Sequence, residues 1–115
     1  MTLSEKQRIF VFNIGKLIGW AYANGFELTF GDAYRDPRLA AMNAAAGKGI
    51  TNSLHTRRLA VDFNLFKDGA YIAQSETYRP LGDYWKSLDP LNAWGGDFKP
   101  VADGNHFSMT EGGIR

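Results

Sequence analysis

The chain has 115 residues, of which 44% are hydrophobic and 22% charged, and its formal net charge is +1. This length suits one domain covering residues 1–115, and this composition excludes a disordered chain. The near-neutral charge, with no run of Lys or Arg longer than two, argues against a nucleic-acid-binding protein, and the absence of cysteine excludes disulfides and thiolate metal sites.

The first 25 residues predict an amphipathic helix. Ser4 is the expected N-cap, and Asn24-Gly25 supplies the end of the helix. The apolar positions at helical spacing are Phe10, Ile14, Leu17, Ile18 and Ala21. Lys16 interrupts this apolar run and no cleavage pattern follows, so we expect neither a signal peptide nor stable membrane association.

Two strands and a short helix are predicted next. Residues 26–35 alternate like a strand, and a helix opened by Asp36 and Pro37 and closed by Gly47 follows. Residues 59–66 form the clearest strand, because apolar and small or polar side chains alternate along it. One face carries Leu59, Val61, Phe63 and Leu65, and the other carries Ala60, Asp62 and Asn64.

The last third of the chain completes a small sheet. Asp68-Gly69 predicts a hairpin turn, and a helix is expected over about residues 78–88 with Pro80 in its first turn. Residues 93–98 and 105–109 are the remaining predicted strands. The predicted fold class is therefore α+β, with helices packed on one face of a mainly antiparallel sheet.

Both histidines of the chain, His55 and His106, are candidate metal ligands together with Asp62. Two imidazoles and one carboxylate, with one position left open, make up a catalytic zinc site. The small neighbour Ala60 leaves room beside Asp62 on the face opposite the apolar row. A bound cation would offset the cost of holding that carboxylate against a sheet.

Asp103 stands three residues before His106, and the intervening Gly104 allows a turn that brings their side chains together. A carboxylate there would accept a proton from a water activated by zinc and pass it to a leaving amine. That is the chemistry of amide hydrolysis. The simpler alternative is that Asp103 only caps the turn.

Four segments resemble conserved blocks of the LAS or M15-type zinc peptidases, in the same order. "SLHTRRLAVDFN" (53–64) is similar to the motif S-x-H-x-x-x-x-A-x-D, and "DGNHF" (103–107) is similar to the motif acid-x-x-His. "AYR" (33–35) and "WGGDF" (94–98) resemble two further blocks. This family includes D-Ala-D-Ala carboxypeptidases, VanX-type dipeptidases and phage L-alanyl-D-glutamate endopeptidases, and it implies a Hedgehog/DD-peptidase-like fold.

The resemblance implies a role for each matched residue. His55, Asp62 and His106 would bind Zn²⁺, and Asp103 would be the general base. Arg35 would contact the substrate and polarise the scissile carbonyl, although an ion pair with Asp32 or Asp36 is its simpler alternative.

Ser53 would orient its loop or contact the substrate. One departure concerns substrate binding: many relatives carry Ser or Thr after the arginine and a nearby glutamine, whereas this chain continues "RDPRLAAM" (35–42).

The resulting hypothesis is a monomeric zinc peptidase that acts on the peptide stems of bacterial peptidoglycan. We expect a phage endolysin that cuts L-Ala–D-Glu, made in the host cytoplasm and released to the cell wall through a holin. Two alternatives stay open: a D-Ala-D-Ala carboxypeptidase, and a non-catalytic zinc-bearing module that binds the cell wall.

Overall fold

The computed structural model describes residues 1–47 and 53–115. In this part of the chain, three α-helices are interspersed among five β-strands. They are α1 (Leu3–Ala23), β1 (Glu27–Phe30), α2 (Pro37–Ala45), β2 (Ala60–Lys67), β3 (Ala70–Ile72), α3 (Arg79–Leu88), β4 (Asn92–Trp94) and β5 (His106–Met109).

Helix α1 begins earlier than the sequence predicted. Thr2, and not Ser4, is the N-cap: its hydroxyl accepts the Glu5 N–H, and the Glu5 carboxylate accepts the Thr2 N–H. Thr2 and Glu5 have the spacing of three residues that a capping box needs, and the structure forms the box at this pair. Among the described residues, no helix is both long and apolar enough to cross a bilayer.

All strand pairs of the sheet are antiparallel, in the order β1-β2-β5-β4, with β3 also paired to β2. The β2–β3 hairpin turns at Asp68 and Gly69 as predicted, and both residues have positive φ. Helix α2 follows its predicted cap, since Asp36 accepts the Arg38 N–H, and α3 has Pro80 in its first turn.

Two predicted strands are shorter in the structure. The strand expected over 26–35 ends at Phe30, where the pairing with β2 becomes irregular. The Gly31 N–H donates to the Asp62 carbonyl, but the Asp62 N–H donates to the Asp32 carbonyl, so two residues oppose one. The strand expected over 93–98 ends at Trp94, because Gly95–Asp97 forms a 3-10 helix. Both departures occur next to Asp62 or His106, where the backbone is shaped by contacts distant in sequence.

The two faces of β2 have different roles. Val61, Phe63 and Leu65 are buried in the hydrophobic core, as the alternation predicted. Val61 pairs with Phe107 on β5, and the rings of Trp85 on α3 and Phe107 meet edge to face, so the helices cover this side of the sheet. Asp62 pairs with His106 and projects to the opposite side.

Candidate metal centre and active-site cleft

Three side chains that can bind a metal converge where β2 and β5 meet. His55 lies on a 3-10 helix (Leu54–Arg57) just before β2, Asp62 lies within β2, and His106 begins β5. The antiparallel register places Asp62 directly opposite His106. One ligand atom from each of the three residues lies within 4.8 Å of the other two. The structure thus brings together all three predicted ligands.

The His55 ring is fixed by the segment that follows β1. Its Nδ1 lies 2.9 Å from the Ala33 carbonyl oxygen, so this nitrogen donates and Nε2 is left as the acceptor that a metal requires. The backbone N–H of Arg35 donates to the His55 carbonyl at 3.0 Å, and the Ser53 hydroxyl accepts the backbone N–H of His55 at 3.2 Å. These contacts hold the imidazole in one tautomer and one orientation.

The donor spacing fits a zinc ion. Asp62 Oδ1 lies 3.3 Å from His55 Nε2 and 3.4 Å from His106 Nδ1. Two ligand atoms at about 2.0–2.1 Å from a tetrahedral zinc are themselves about 3.3 Å apart. Asp62 Oδ1 is buried without a hydrogen-bond partner in the described part of the chain, and buried carboxylate oxygens need one. Donor type, spacing and this unsatisfied oxygen all favour a bound cation.

The ionisation state of Asp62 also favours cation binding. Burial by itself would raise the pKa of Asp62, but the adjacent His106 and His55 imidazoles outweigh burial and lower the pKa to about 2. For His55, burial acts in the opposite direction and would lower the pKa. The contact with Asp62 outweighs burial, and the pKa of His55 is raised. Asp62 is therefore a carboxylate at neutral pH, as a metal ligand must be.

Asp103 lines the same cleft as the three candidate ligands. Its N–H donates to the Gly95 carbonyl at 2.8 Å, and its own carbonyl accepts the His106 N–H at 3.1 Å, so the residue is tied to the start of β5. Partial burial, together with the negative charge of Asp62, raises the pKa of the Asp103 carboxyl above its usual value. A raised pKa makes this carboxylate a better proton acceptor.

Arg35 and Ser53 complete the set of predicted site residues, and both line the cleft, which has a volume of about 380 Å³. The Arg35 guanidinium also forms a 3.0 Å ion pair with Asp32. It does not pair with Asp36, whose carboxylate binds Arg38. Ser53 is buried and caps the 3-10 helix that carries His55.

The loop that carries Asp103 is held by residues for which no catalytic role was predicted. The Trp94 indole donates to the Gly104 carbonyl at 2.7 Å, and the Gly104 N–H donates to the Ser75 hydroxyl at 2.9 Å. The "WGGDF" block pointed to Trp94, but Ser75 belongs to no motif. Arg115 also lines the cleft, and no pattern in the sequence marks it.

Gly95, the first residue after β4, is required where the Asp103 loop packs against it. A Cβ at Gly95 would overlap the Asp103 carbonyl oxygen and approach the His106 Cβ to 2.8 Å. We expect Gly95→Ala to lower the free energy of unfolding by about 1–3 kcal/mol and to reduce peptidase activity, because both functional residues must shift.

Gly15→Ala is the matched control for this change, since a Cβ at Gly15 meets nothing within 4 Å and a helical Gly→Ala change is neutral or stabilising. Thermal unfolding and activity are measured for both variants. An unfolding temperature for Gly95→Ala equal to that of the wild type would contradict the close approach.

Comparisons with known proteins place these features in context. Residues 46–109 match the model of a peptidase M15 family described as D-alanyl-D-alanine carboxypeptidase. The fold resembles the L-Ala D-Glu endopeptidase ChiX of Serratia marcescens, with a TM-score of 0.74 and 20% identity over 93% of this chain and 85% of ChiX.

It also resembles a zinc-bound mutant of the vancomycin resistance D,D-pentapeptidase VanY from a VanB-type cassette. Here the TM-score is 0.56 and the identity 19%, over 87% of this chain and 70% of VanY. No curated protein sequence matches the chain significantly. At these identities, the two structural likenesses establish a shared fold.

Proposed function

The chain belongs to the M15 family of zinc metallopeptidases, and from this premise we propose that it hydrolyses the peptide stems of bacterial peptidoglycan, at the L-Ala–D-Glu bond. The observation that carries the proposal is the convergence of the three candidate ligands with Asp103 and Arg35 in one cleft. The resemblance to ChiX, named as an L-Ala D-Glu endopeptidase, supports the choice of bond. We also propose that residues 1–115 form one catalytic domain, which a single hydrophobic core supports.

The residues of the cleft have separate roles in amide hydrolysis. A zinc ion held by His55, Asp62 and His106 would supply Lewis acidity toward water and the scissile carbonyl. Asp103 accepts a proton from the attacking water as the new C–O bond forms, and it returns that proton to the leaving nitrogen as the C–N bond breaks.

Arg35 supplies positive charge to the carbonyl oxygen, where negative charge develops in the transition state. Its ion pair with Asp32 fixes the direction of the guanidinium. Ser53 acts through the cap that positions His55. In this assignment, Arg35 and Asp103 contact the reacting atoms, and Ser53 is a positioning residue.

Digestion of purified peptidoglycan sacculi tests the proposed bond. The zinc-loaded protein is expected to release fragments with a new D-Glu amino terminus, detected by mass spectrometry, and chelation followed by zinc addition should abolish and restore this release. Free D-Ala with intact L-Ala–D-Glu bonds would instead identify a D-Ala-D-Ala carboxypeptidase. That second candidate is favoured by the description of the matching family model.

We also propose a biological role: the protein is a monomeric phage or prophage endolysin that is made in the host cytoplasm and reaches the cell wall through a holin. Expression in a bacterial host with and without a co-expressed holin tests it. We expect lysis only when both proteins are present. Lysis without the holin would contradict this route to the cell wall.

A further inference from the structure

A second depression lies next to the active-site cleft. The two hollows share Phe98, Val101 and Arg115, and the second has a volume of about 550 Å³ and is also lined by Lys99 and Pro100. The shared residues place the two hollows next to each other, so the residues that flank a scissile bond near His106 would extend along this groove from one hollow into the other. The side chains of Lys99 and Arg115 line this end of the groove.

Arg115 is separated from the metal-ligand residues by one aromatic ring. Its guanidinium carbon lies 5.0 Å from the centroid of the Phe98 ring, and the Phe98 ring lies 5.4 Å from the ring of His106. These separations place the guanidinium within about 10 Å of His106. Stacking on an aromatic face holds a guanidinium in place without using its N–H donors.

The two arginines of the cleft differ in how their charge is used. Arg35 is paired with Asp32 at 3.0 Å. Among residues 1–47 and 53–115, no carboxylate forms an ion pair with Arg115, whose guanidinium packs against the Phe98 ring. Because this contact uses the face of the guanidinium, the N–H donors at its edge remain available to a carboxylate.

We propose that Arg115, held by Phe98, binds a carboxylate carried by the substrate residue next to the scissile bond. Two zinc–ligand bonds of about 2 Å each, one extended residue of about 3.3 Å and one hydrogen bond of about 2.9 Å would together span about 10 Å, so such a carboxylate lies within reach of the guanidinium. The substrate class follows from the proposed function, on which this inference rests. D-Glu in an L-Ala–D-Glu bond carries an α-carboxylate, and so does a C-terminal D-Ala.

Two non-hydrolysable peptides test this binding without turnover. Each carries a ketomethylene link in place of the L-Ala–D-Glu amide, one with a free α-carboxylate and the other with an α-carboxamide. Calorimetric titration of the zinc-loaded wild type is expected to give about tenfold tighter binding of the carboxylate peptide, as one exposed charge-assisted hydrogen-bond pair provides. Arg115→Gln should reduce this ratio to about one while leaving carboxamide binding unchanged.

Two further variants separate charge from geometry. Arg115→Lys keeps the charge but loses the planar fork, so it should retain only part of the preference. Arg8→Gln removes an exposed arginine of α1 outside the cleft and should keep the wild-type ratio. A wild type without preference, or a full preference in Arg115→Gln, overturns the inference. A wild type that prefers the carboxylate peptide but does not cut L-Ala–D-Glu contradicts the proposed bond and leaves the Arg115 site standing.

Discussion

The Asp103→Asn variant is expected to bind zinc as the wild type does and to hydrolyse peptidoglycan stems about 10²–10⁴-fold more slowly, the range contributed by general acid–base catalysis. Asparagine has nearly the shape of aspartate but cannot accept the proton of the attacking water. The backbone contacts of residue 103 to Gly95 and His106 do not involve the carboxylate. The loop should therefore keep its position.

Asp83→Asn is the matched control, because Asp83 is an exposed aspartate of α3 outside the cleft. Zinc content by elemental analysis and hydrolysis of sacculi are measured for both variants. The control should retain wild-type activity. If Asp103→Asn hydrolyses stems at the wild-type rate, the carboxylate is not the base, and its role is limited to the turn before Gly104.

The parts of the fold that were predictable from the sequence are those with local causes. The hairpin at Asp68-Gly69 and the start of α3 near Pro80 follow from backbone preferences of the residues themselves. The ends of two strands have a different origin. β1 ends at Phe30 because its pairing with β2 becomes irregular there, where Gly31 and Asp32 both bond to the backbone of Asp62, about thirty positions away. Such contacts leave no periodic pattern in the sequence.

In the candidate site, too, features with local causes were predictable and features that depend on tertiary contacts were not. Residue type and motif spacing singled out His55, Asp62 and His106, and strand pairing explains why Asp62 and His106 meet. The Ala33 carbonyl that orients His55 was not predictable, because any residue supplies a carbonyl. Arg115 reaches the cleft only through tertiary packing against Phe98, so no spacing in the chain predicts it.

The His106→Ala variant is expected to lose zinc and activity together. Loss of groups that merely support a metal ligand weakens binding by 10–100-fold, so removal of one of three protein ligands should weaken zinc binding by about 100-fold or more. His106 is buried, and alanine cannot replace the nitrogen that faces Asp62. Removal of the buried imidazole would also open the remaining site to water.

Zinc-dependent stability provides a readout that does not require turnover. A ligand present at about 100 times its Kd stabilises the folded protein by about 2.7 kcal/mol, so added zinc should raise the unfolding temperature of the wild type and leave that of His106→Ala unchanged. Ser108→Ala is the control, since Ser108 is a buried residue on the same side of β5 whose hydroxyl has no hydrogen-bond partner in the described chain. It should keep the zinc response. Stoichiometric zinc in His106→Ala would show that His106 is not a ligand, because the metal would then be held by His55 and Asp62 without it.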